Sequence, residues 1–558
     1  MMFKGKLVFP VFASFLILTA FAGVASAKTI YVPDDYARIQ WAVDSASIGD
    51  TIIVRDGTYY ENVVVNKKLT IKSENGSAYC IVDGGGSTVF TLEADGIRIE
   101  GFSITGGRDG IYISSNNNII SNNIISSNND CGVYLISNNS SISNNLISSN
   151  DDYGIYLRGN SNIISNNTIS NNKYIDLKGN NNSIFNNIIS NNNNGGICLG
   201  GNNNSISNNI ISNNDGGISF YGNNNSISNN LISSNAYEGI KLWEGNNNSI
   251  SNNIISSNTY EGIDLRGNNN SISENNISNN YCGIYLYDSN NNSISNNNIN
   301  SNYWYGIYLV NSNNNIIYLN NFINNTCNAF SYNSTNILNS TSKITYTYRG
   351  STFKNYMGNY WDDYTGYDAN GDGIGDVPYS INTDKDNYPL IEPFENYFVE
   401  TPTPSPTPSP TPSPSPSPTP TPAQIFDTGR PENPYPSISG EFVGTIKANK
   451  KIIATKLYTY ACEGTGGHTE HALIWNETWC AYAKWEGYKG DWMNISFNRT
   501  VVLMPYETYN ITIVTGSYPQ IHHTHSLKTE NGWINCTEFI DANGKKYDDW
   551  IPAIMLWL

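Results

Sequence analysis

A four-residue phrase recurs ten times between Gly110 and Leu309: glycine, a branched apolar residue, a variable residue, then a second apolar residue. It opens as Gly110-Ile111-Tyr112-Ile113 and closes as Gly306-Ile307-Tyr308-Leu309. Only Tyr174-Ile175-Asp176-Leu177 has lost its glycine. The branched residues fall at 111, 133, 155, 175, 197, 218, 240, 263, 284 and 307, a period of 20 to 23 residues. Such a period specifies a solenoid, because one repeat of this size cannot bury its apolar face alone. Within each period an Asn-rich turn leads into Ser-Ile-Ser, two asparagines, and then Ile-Ile-Ser or Leu-Ile-Ser, as in Asn202 to Ser212. Apolar residues alternate over two to four positions, which is a strand period. Asparagine tolerates left-handed backbone and turns the chain. A leucine-rich repeat has a similar length but needs a leucine framework that is absent here. The expectation is an all-β chain built on a parallel β-helix, with three short strands per coil, isoleucines inside and asparagine ladders at the corners. At ~4.8 Å per coil, ten coils make a rod of about 50 Å.

The chain has 558 residues, only 14% of them charged, with a formal net charge of −17. Low charge and abundant Asn and Ser suit disorder, but the strict isoleucine spacing argues against it. Residues 1–27 read as a secretory signal: Lys4 and Lys6, an apolar run from Leu7 to Ala22, and Ala25-Ser26-Ala27 for cleavage. Its removal takes the charge to −17 − 2 = −19. An acidic chain without a basic stripe is a poor nucleic-acid binder. The mature protein is expected to be exported, without a transmembrane anchor, either free or held at the surface by non-covalent contacts. Export permits disulfides. Cys462, Cys480 and Cys536 lie near one another in sequence, so one bridge is expected there with one thiol left over.

Residues 28–109 read as the cap and first coils. Tyr36 to Ala46 has helical spacing through Ile39, Trp41, Ala42 and Val43, suited to covering an open solenoid end. Asp50-Thr51-Ile52 and Gly57-Thr58-Tyr59 resemble the N-terminal cap of pectin-lyase-like right-handed β-helix proteins, and the Asn-Ile-Ser repeats of 110–350 resemble the NosD-type family of carbohydrate-binding and sugar-hydrolase repeats. Residues 351–400 carry Gly358-Asn359-Tyr360-Trp361-Asp362-Asp363-Tyr364, an Asp/Gly-rich segment and Tyr388-Pro389-Leu390. This closing sequence is similar to that of NosD-like surface proteins of archaea and bacteria. The resemblance implies the right-handed fold; function does not follow from fold alone. An unbroken Thr-Pro/Ser-Pro run at 401–422 is a polyproline spacer. Residues 423–558 then read as a β-sandwich of short strands, and Phe426-Asp427-Thr428-Gly429, Gly464–His471, Tyr518–His523 and Asn531–Cys536 resemble a module of methanogen surface proteins.

Four groups of residues are candidate sites. Asp368, Asn370, Asp372 and Asp376 alternate in a Gly-bent loop, a pattern that can surround Ca²⁺. Tyr379 stands where an EF-hand places its bidentate acid, so Asp384 or Asp386 would substitute; a plain turn is the alternative. All five histidines fall in the last segment. His468, His471, His523 and His525 converging from loops would hold Zn²⁺ or Cu²⁺, or else form a polar surface. Tyr134, Tyr156, Trp243, Tyr260, Tyr285, Trp304 and Tyr308 are expected in outward columns, either stacking sugars or stiffening the sheet. Glu238 and Glu261 occupy equal positions in adjacent coils, with Asp264 nearby, a spacing compatible with glycoside hydrolysis or with a solvated charge ladder. The copper role attached to the NosD name lacks ligands in the rod, since no His or Met lies between 28 and 350. Sequons such as Asn276-Ile277-Ser278 make an exported chain a candidate glycoprotein.

Uniform coils leave no long loops to wall a catalytic cleft. The sequence therefore favours a non-catalytic surface protein binding glycans or cell-surface proteins. The alternative is a polysaccharide lyase or glycoside hydrolase of the pectin-lyase-like class using Glu238, Glu261 and Asp264.

Overall fold

A computed structural model describes residues 27–382, 384–398, 425–462, 467–475, 480–485, 493–516 and 518–557. The expected signal segment, apart from Ala27, and the Thr/Ser-Pro run lie outside these. The chain divides into two units, Met1–Pro402 and Thr403–Leu558.

The first unit is a parallel β-solenoid of three sheets with 14, 13 and 14 strands. Each coil contributes one strand to each sheet. In the coil typified by residues 197–212 these are Ile197–Gly200, Ser205–Ser207 and Ile210–Ser212, each pairing in register with its equivalent one coil away. The central isoleucine of each Ser-Ile-Ser, Ile-Ile-Ser or Leu-Ile-Ser strand points inward, so Ile206, Ile211, Ile227, Ile232, Ile250 and Ile255 stack in a fully buried core. The glycine of the repeated phrase, at the start of the strands of the 13-stranded sheet in every copy but that of Tyr174, is forced by space. A Cβ on Gly262 would lie 2.5 Å from Ile277 Cγ2 and 2.8 Å from the Gly283 carbonyl.

The Asn-Asn pairs divide the work of the corner. In Asn203-Asn204, Asn208-Asn209 and Asn213-Asn214 the first residue takes the left-handed conformation, with φ of 57°, 57° and 55°. The second is buried. Its side-chain oxygen accepts from the backbone N–H of the equivalent residue one coil earlier, and its amide donates to the oxygen one coil later. Asn230 N–H to Asn253 Oδ1 and Asn253 N–H to Asn275 Oδ1 are both 3.0 Å. Three such ladders run the length of the rod, all with the same direction. At their far ends they finish on carboxylates: Asn336 donates to Asp384, Asn359 to Asp386, and Asn325 passes through Asn328 to Asp362 and Asp363.

Helix Ile39–Ser45 covers the first coil, burying Ile39, Ala42 and Val43. Trp41, grouped with them by spacing, instead faces solvent. The carboxylate of Glu61 accepts the N–H groups of Ile39 and Gln40, both at 3.0 Å, and so caps the helix from the coil beneath. The other end is closed by the ring stack Phe322–Trp361–Tyr379, with centroids 4.3 and 4.6 Å apart, and by a small cluster around Met357, Leu390 and Tyr397.

The second unit is antiparallel. Eleven strands form one sheet that includes Gly440–Ala448, Ile452–Thr459, Asn494–Leu503, Thr508–Gly516 and Gly532–Asp541. Phe426 and Leu556 at one edge share a single core with Phe442, Ile511 and Ile534 further across, so the sheet folds over on itself.

Candidate functional site

The outward residues of the 13-stranded sheet can be followed coil by coil through the register. One column runs Tyr112, Tyr134, Tyr156, Asp176, Cys198, Ser219, Lys241, Asp264, Tyr285, Tyr308 and Phe330. The expected aromatic column is therefore two banks with a polar saddle between them. In the first bank Tyr112, Tyr134 and Tyr156 stack at 5.3 and 4.7 Å. In the second, Tyr285 and Tyr308 lie 5.2 Å apart and Trp304 packs against Tyr305 at 4.5 Å. Tyr237 and Tyr260 stack at 5.6 Å, both about half exposed, on the turn beside the saddle.

Small residues shape the saddle. Gly195, Cys198, Gly216, Gly217 and Ser219 line a hollow bordered by Tyr174. Beyond it, the Trp243 indole donates to Ser219 Oγ at 2.8 Å while its ring stays half exposed. The Lys241 ammonium and the Arg266 guanidinium lie 4.3 and 5.4 Å from that ring. On the other side Asp176 sits in register between Tyr156 and Cys198, with Arg158 Nη2 3.4 Å from its Oδ2. Asp176 Oδ1 and Arg158 Nη1 are both buried without a hydrogen-bond partner. Burial pushes the Asp176 carboxyl above its ordinary value.

Two of the three candidate catalytic acids, Glu238 and Asp264, are engaged in ion pairs. Asp264 is buried and salt-bridged to Lys241 at 3.2 Å and Arg266 at 3.1 Å, and Lys241 also pairs with Glu238. Glu261 titrates above the usual carboxylate range, chiefly because of burial and then through Asp264 and Glu238. This is a charge network braced across adjacent coils.

The Asp/Gly loop satisfies itself. Asp368 accepts the N–H groups of Gly371, Asp372 and Gly373, Asp372 that of Ile374, and Asp376 that of Ala369. Asn370 Oδ1 accepts the Asp372 N–H. Among the described residues Asp368, Asp372 and Asp376 do not gather as a ligand set. A Ca²⁺ ion seated here would draw them away from these N–H groups. Asp384 and Asp386, the acids expected to substitute, are buried and accept the ladder-end N–H groups of Asn336 and Asn359.

The histidines do not converge either. No group of three ligand-type side chains among the described residues includes one. His468, His471 and His523 stand on strands and His525 on the bend between Ile521–His523 and Ser526–Thr529, each with other contacts. His468 lies over Trp485 at 3.8 Å and 3.2 Å from Glu470, and His471 is half-buried near Tyr482. His523 meets Trp550 edge-on, and His525 Nδ1 is 2.9 Å from the Asp548 carbonyl. Cys536 is a free thiol facing the Trp550 carbonyl. Cys480's side chain lies outside the described residues.

Sequence reasoning missed the saddle. Its signal was present in the variable position of the repeated phrase, where Asp176, Cys198 and Ser219 interrupt a series of tyrosines.

Residues 174–366 match the family described as periplasmic copper-binding protein (NosD), and residues 63–211 match the right handed β-helix region. A stretch of 117 residues is 38% identical to a cell surface glycoprotein of Methanothermus fervidus; it covers 20% of this chain and 20% of that relative. Among solved structures, the mannuronan C-5 epimerase AlgE4 A-module of Azotobacter vinelandii aligns at 16% identity and a TM-score of 0.38, over 56% of this chain and 97% of that one. The catalytic domain of GH87 α-1,3-glucanase aligns at 16% identity and a TM-score of 0.40, over 56% and 68%. The Siphovirus 9NA tailspike receptor binding domain aligns at 12% identity and a TM-score of 0.41, over 59% and 81%. The rod is a NosD-like right-handed parallel β-helix. Among the described residues no helix is long and apolar enough to cross a membrane.

Proposed function

We propose that this is an exported cell-surface protein whose rod binds an extended glycan along the face spanning Tyr134 to Tyr308. The likeness to a cell surface glycoprotein supports the location. The observation that carries the binding reading is the pair of unpartnered buried atoms, Asp176 Oδ1 and Arg158 Nη1, beside a small-residue hollow between two aromatic banks. A buried acceptor and donor without partners are costly, on the order of 1–3 kcal/mol each, and sugar hydroxyls supply both kinds of partner. Aromatic faces on either side suit the apolar faces of pyranose rings, and a half-exposed tryptophan flanked by cations suits a substituted or acidic sugar.

The test is a glycan array probed with the full chain, followed by titration of the best ligand. Tyr156→Ala, Asp176→Asn and Trp243→Ala are each expected to weaken binding about tenfold or more. Tyr60→Ala, at an exposed ring far from the saddle, is expected to leave it unchanged. Binding that is absent, or indifferent to all three substitutions, overturns the proposal. Reducing-end release that disappears in Glu261→Gln would instead place the chain among polysaccharide-cleaving enzymes, because the raised Glu261 carboxyl would then be a proton donor.

A further inference from the structure

We infer that Asp109, Asp130 and Cys131 form a binding site for one divalent cation of the zinc class, built across two adjacent coils near the start of the rod. Their ligand atoms lie within 4.8 Å of one another, and they are the group of this kind found among the described residues. Asp130 Oδ1 and Cys131 Sγ are 3.6 Å apart. The fold brings the set together. Backbone hydrogen bonds from Gly110 N–H to the Cys131 carbonyl and from Asp130 N–H to the Arg108 carbonyl hold the two coils in step, so residue 109 faces residues 130 and 131.

A second observation, independent of the clustering, points to a ligand. Asp109 is 1% exposed, yet its Oδ1 has no hydrogen-bond partner. Its Oδ2 is occupied by Arg108 Nη2 at 2.8 Å, Arg108 Nε at 2.9 Å and Thr88 Oγ1 at 3.2 Å. One oxygen is thus fixed in place and the other left bare among acceptors, an arrangement that a cation satisfies and a hydrogen bond does not. The charges close as well. Two carboxylates and a thiolate carry −3, the Arg108 guanidinium +1 and a divalent ion +2. The neighbouring Asp152 is already paired with Lys173 at 3.0 Å. One thiolate with two carboxylates suits Zn²⁺ or Co²⁺ at about 2.0–2.3 Å per ligand and leaves a fourth position for water. Drawing the three atoms to those distances needs a contraction of about 1 Å.

The experiment uses the full chain, reduced and metal-stripped, titrated with Zn²⁺ and separately with Co²⁺. The expected result is a thiolate-to-cobalt charge-transfer band, displaced by Zn²⁺. It should vanish in Cys131→Ser and persist in Cys282→Ser, a buried thiol elsewhere in the rod. Asp109→Asn should weaken Zn²⁺ binding about tenfold or more, and Asp130→Asn, at a partly exposed residue, should do the same without disturbing the core. Zinc should raise the melting temperature of the wild type by several degrees and that of Asp130→Asn by distinctly less at the same concentration. Absence of the band in the wild type, its survival in Cys131→Ser, or a response to Cu⁺ alone overturns the site.

Discussion

Replacing Asn253 with leucine is expected to destabilise the middle of the rod by about 3–6 kcal/mol, more than truncating any single isoleucine by one methyl. The side chain is wholly internal, and the reason lies in what it serves. Its Oδ1 accepts the Asn230 backbone N–H at 3.0 Å and the Asn230 side-chain amide at 3.0 Å, and its own amide donates to the Ile227 carbonyl at 2.9 Å. Leucine fills the space but leaves the buried Asn230 backbone N–H without its acceptor and takes a donor from the Ile227 and Ser251 carbonyls and from Asn275 Oδ1, while the Asn230 amide keeps the Ile206 and Ser228 carbonyls. Aspartate retains the acceptor and should cost less when protonated than when ionised. Chemical denaturation will give the size of the loss. Hydrogen exchange will show where it falls, and the expectation is the coils immediately around 230–275, because coils contact only their neighbours. A loss below about 1 kcal/mol would mean that the ladders are incidental to stability.

The second large effect is at Asp386, fully buried where a ladder ends. It accepts the Asn359 N–H at 2.8 Å, the Trp361 indole N–H at 3.0 Å and the Tyr388 N–H at 3.0 Å. Burial nevertheless outweighs these bonds and pushes its carboxyl up from 3.8 to about 6. The folded state therefore holds a proton, between roughly pH 4 and 6, that the unfolded chain has released. Its contribution is fully present below the unfolded value and is lost as pH rises through the folded one. Two pH units correspond to on the order of 3 kcal/mol. Compared at each pH with Asp386→Asn, the wild type should lose stability at this end of the rod as pH rises from 4 to 7. Hydrogen exchange of the segment around Asn359 and Trp361 reads it locally. Asp386→Leu, which leaves three donors unanswered, should open this end at any pH. A wild-type minus Asp386→Asn difference that stays flat with pH would refute the buried-proton account.

Much of this architecture was legible in the residues. A period of 20 to 23 with apolar spacing of two leaves little but a β-helix, and Asn-Asn pairs mark corners because the first residue must adopt positive φ. What was not legible depends on register between coils. Tyr156 and Asp176 are separated by a coil two residues shorter than its predecessor, yet they are direct neighbours in the sheet. A reading that groups aromatics by type joins across that gap. Asp384 and Asp386 looked like spare calcium ligands because sequence shows acids but not the donors waiting above them. The histidines were legible as two sequence clusters, but their placement depends on which strands pair, and His468 and His471 on one strand lie apart in sequence from His523 and His525 beside another. Asp109 and Cys131 could have been found, since each immediately precedes the glycine of successive phrases.

The asparagine ladders give the rod a direction, and that direction bears on how its length can change. Each internal coil receives donors on one side and presents donors on the other, so every coil is interchangeable with its neighbour as far as these bonds are concerned. The carboxylates needed to terminate the three series occur once, beyond the last coil. Excising one whole repeat from the middle, for example residues 206–226, would join two matching surfaces and leave both termini untouched, whereas removing half a repeat would set corner asparagines against strand residues and break the ladders. Chains of this kind can thus lengthen by duplication or shorten by deletion in whole turns, and the reach of the rod could be tuned across descendants without reinventing either end.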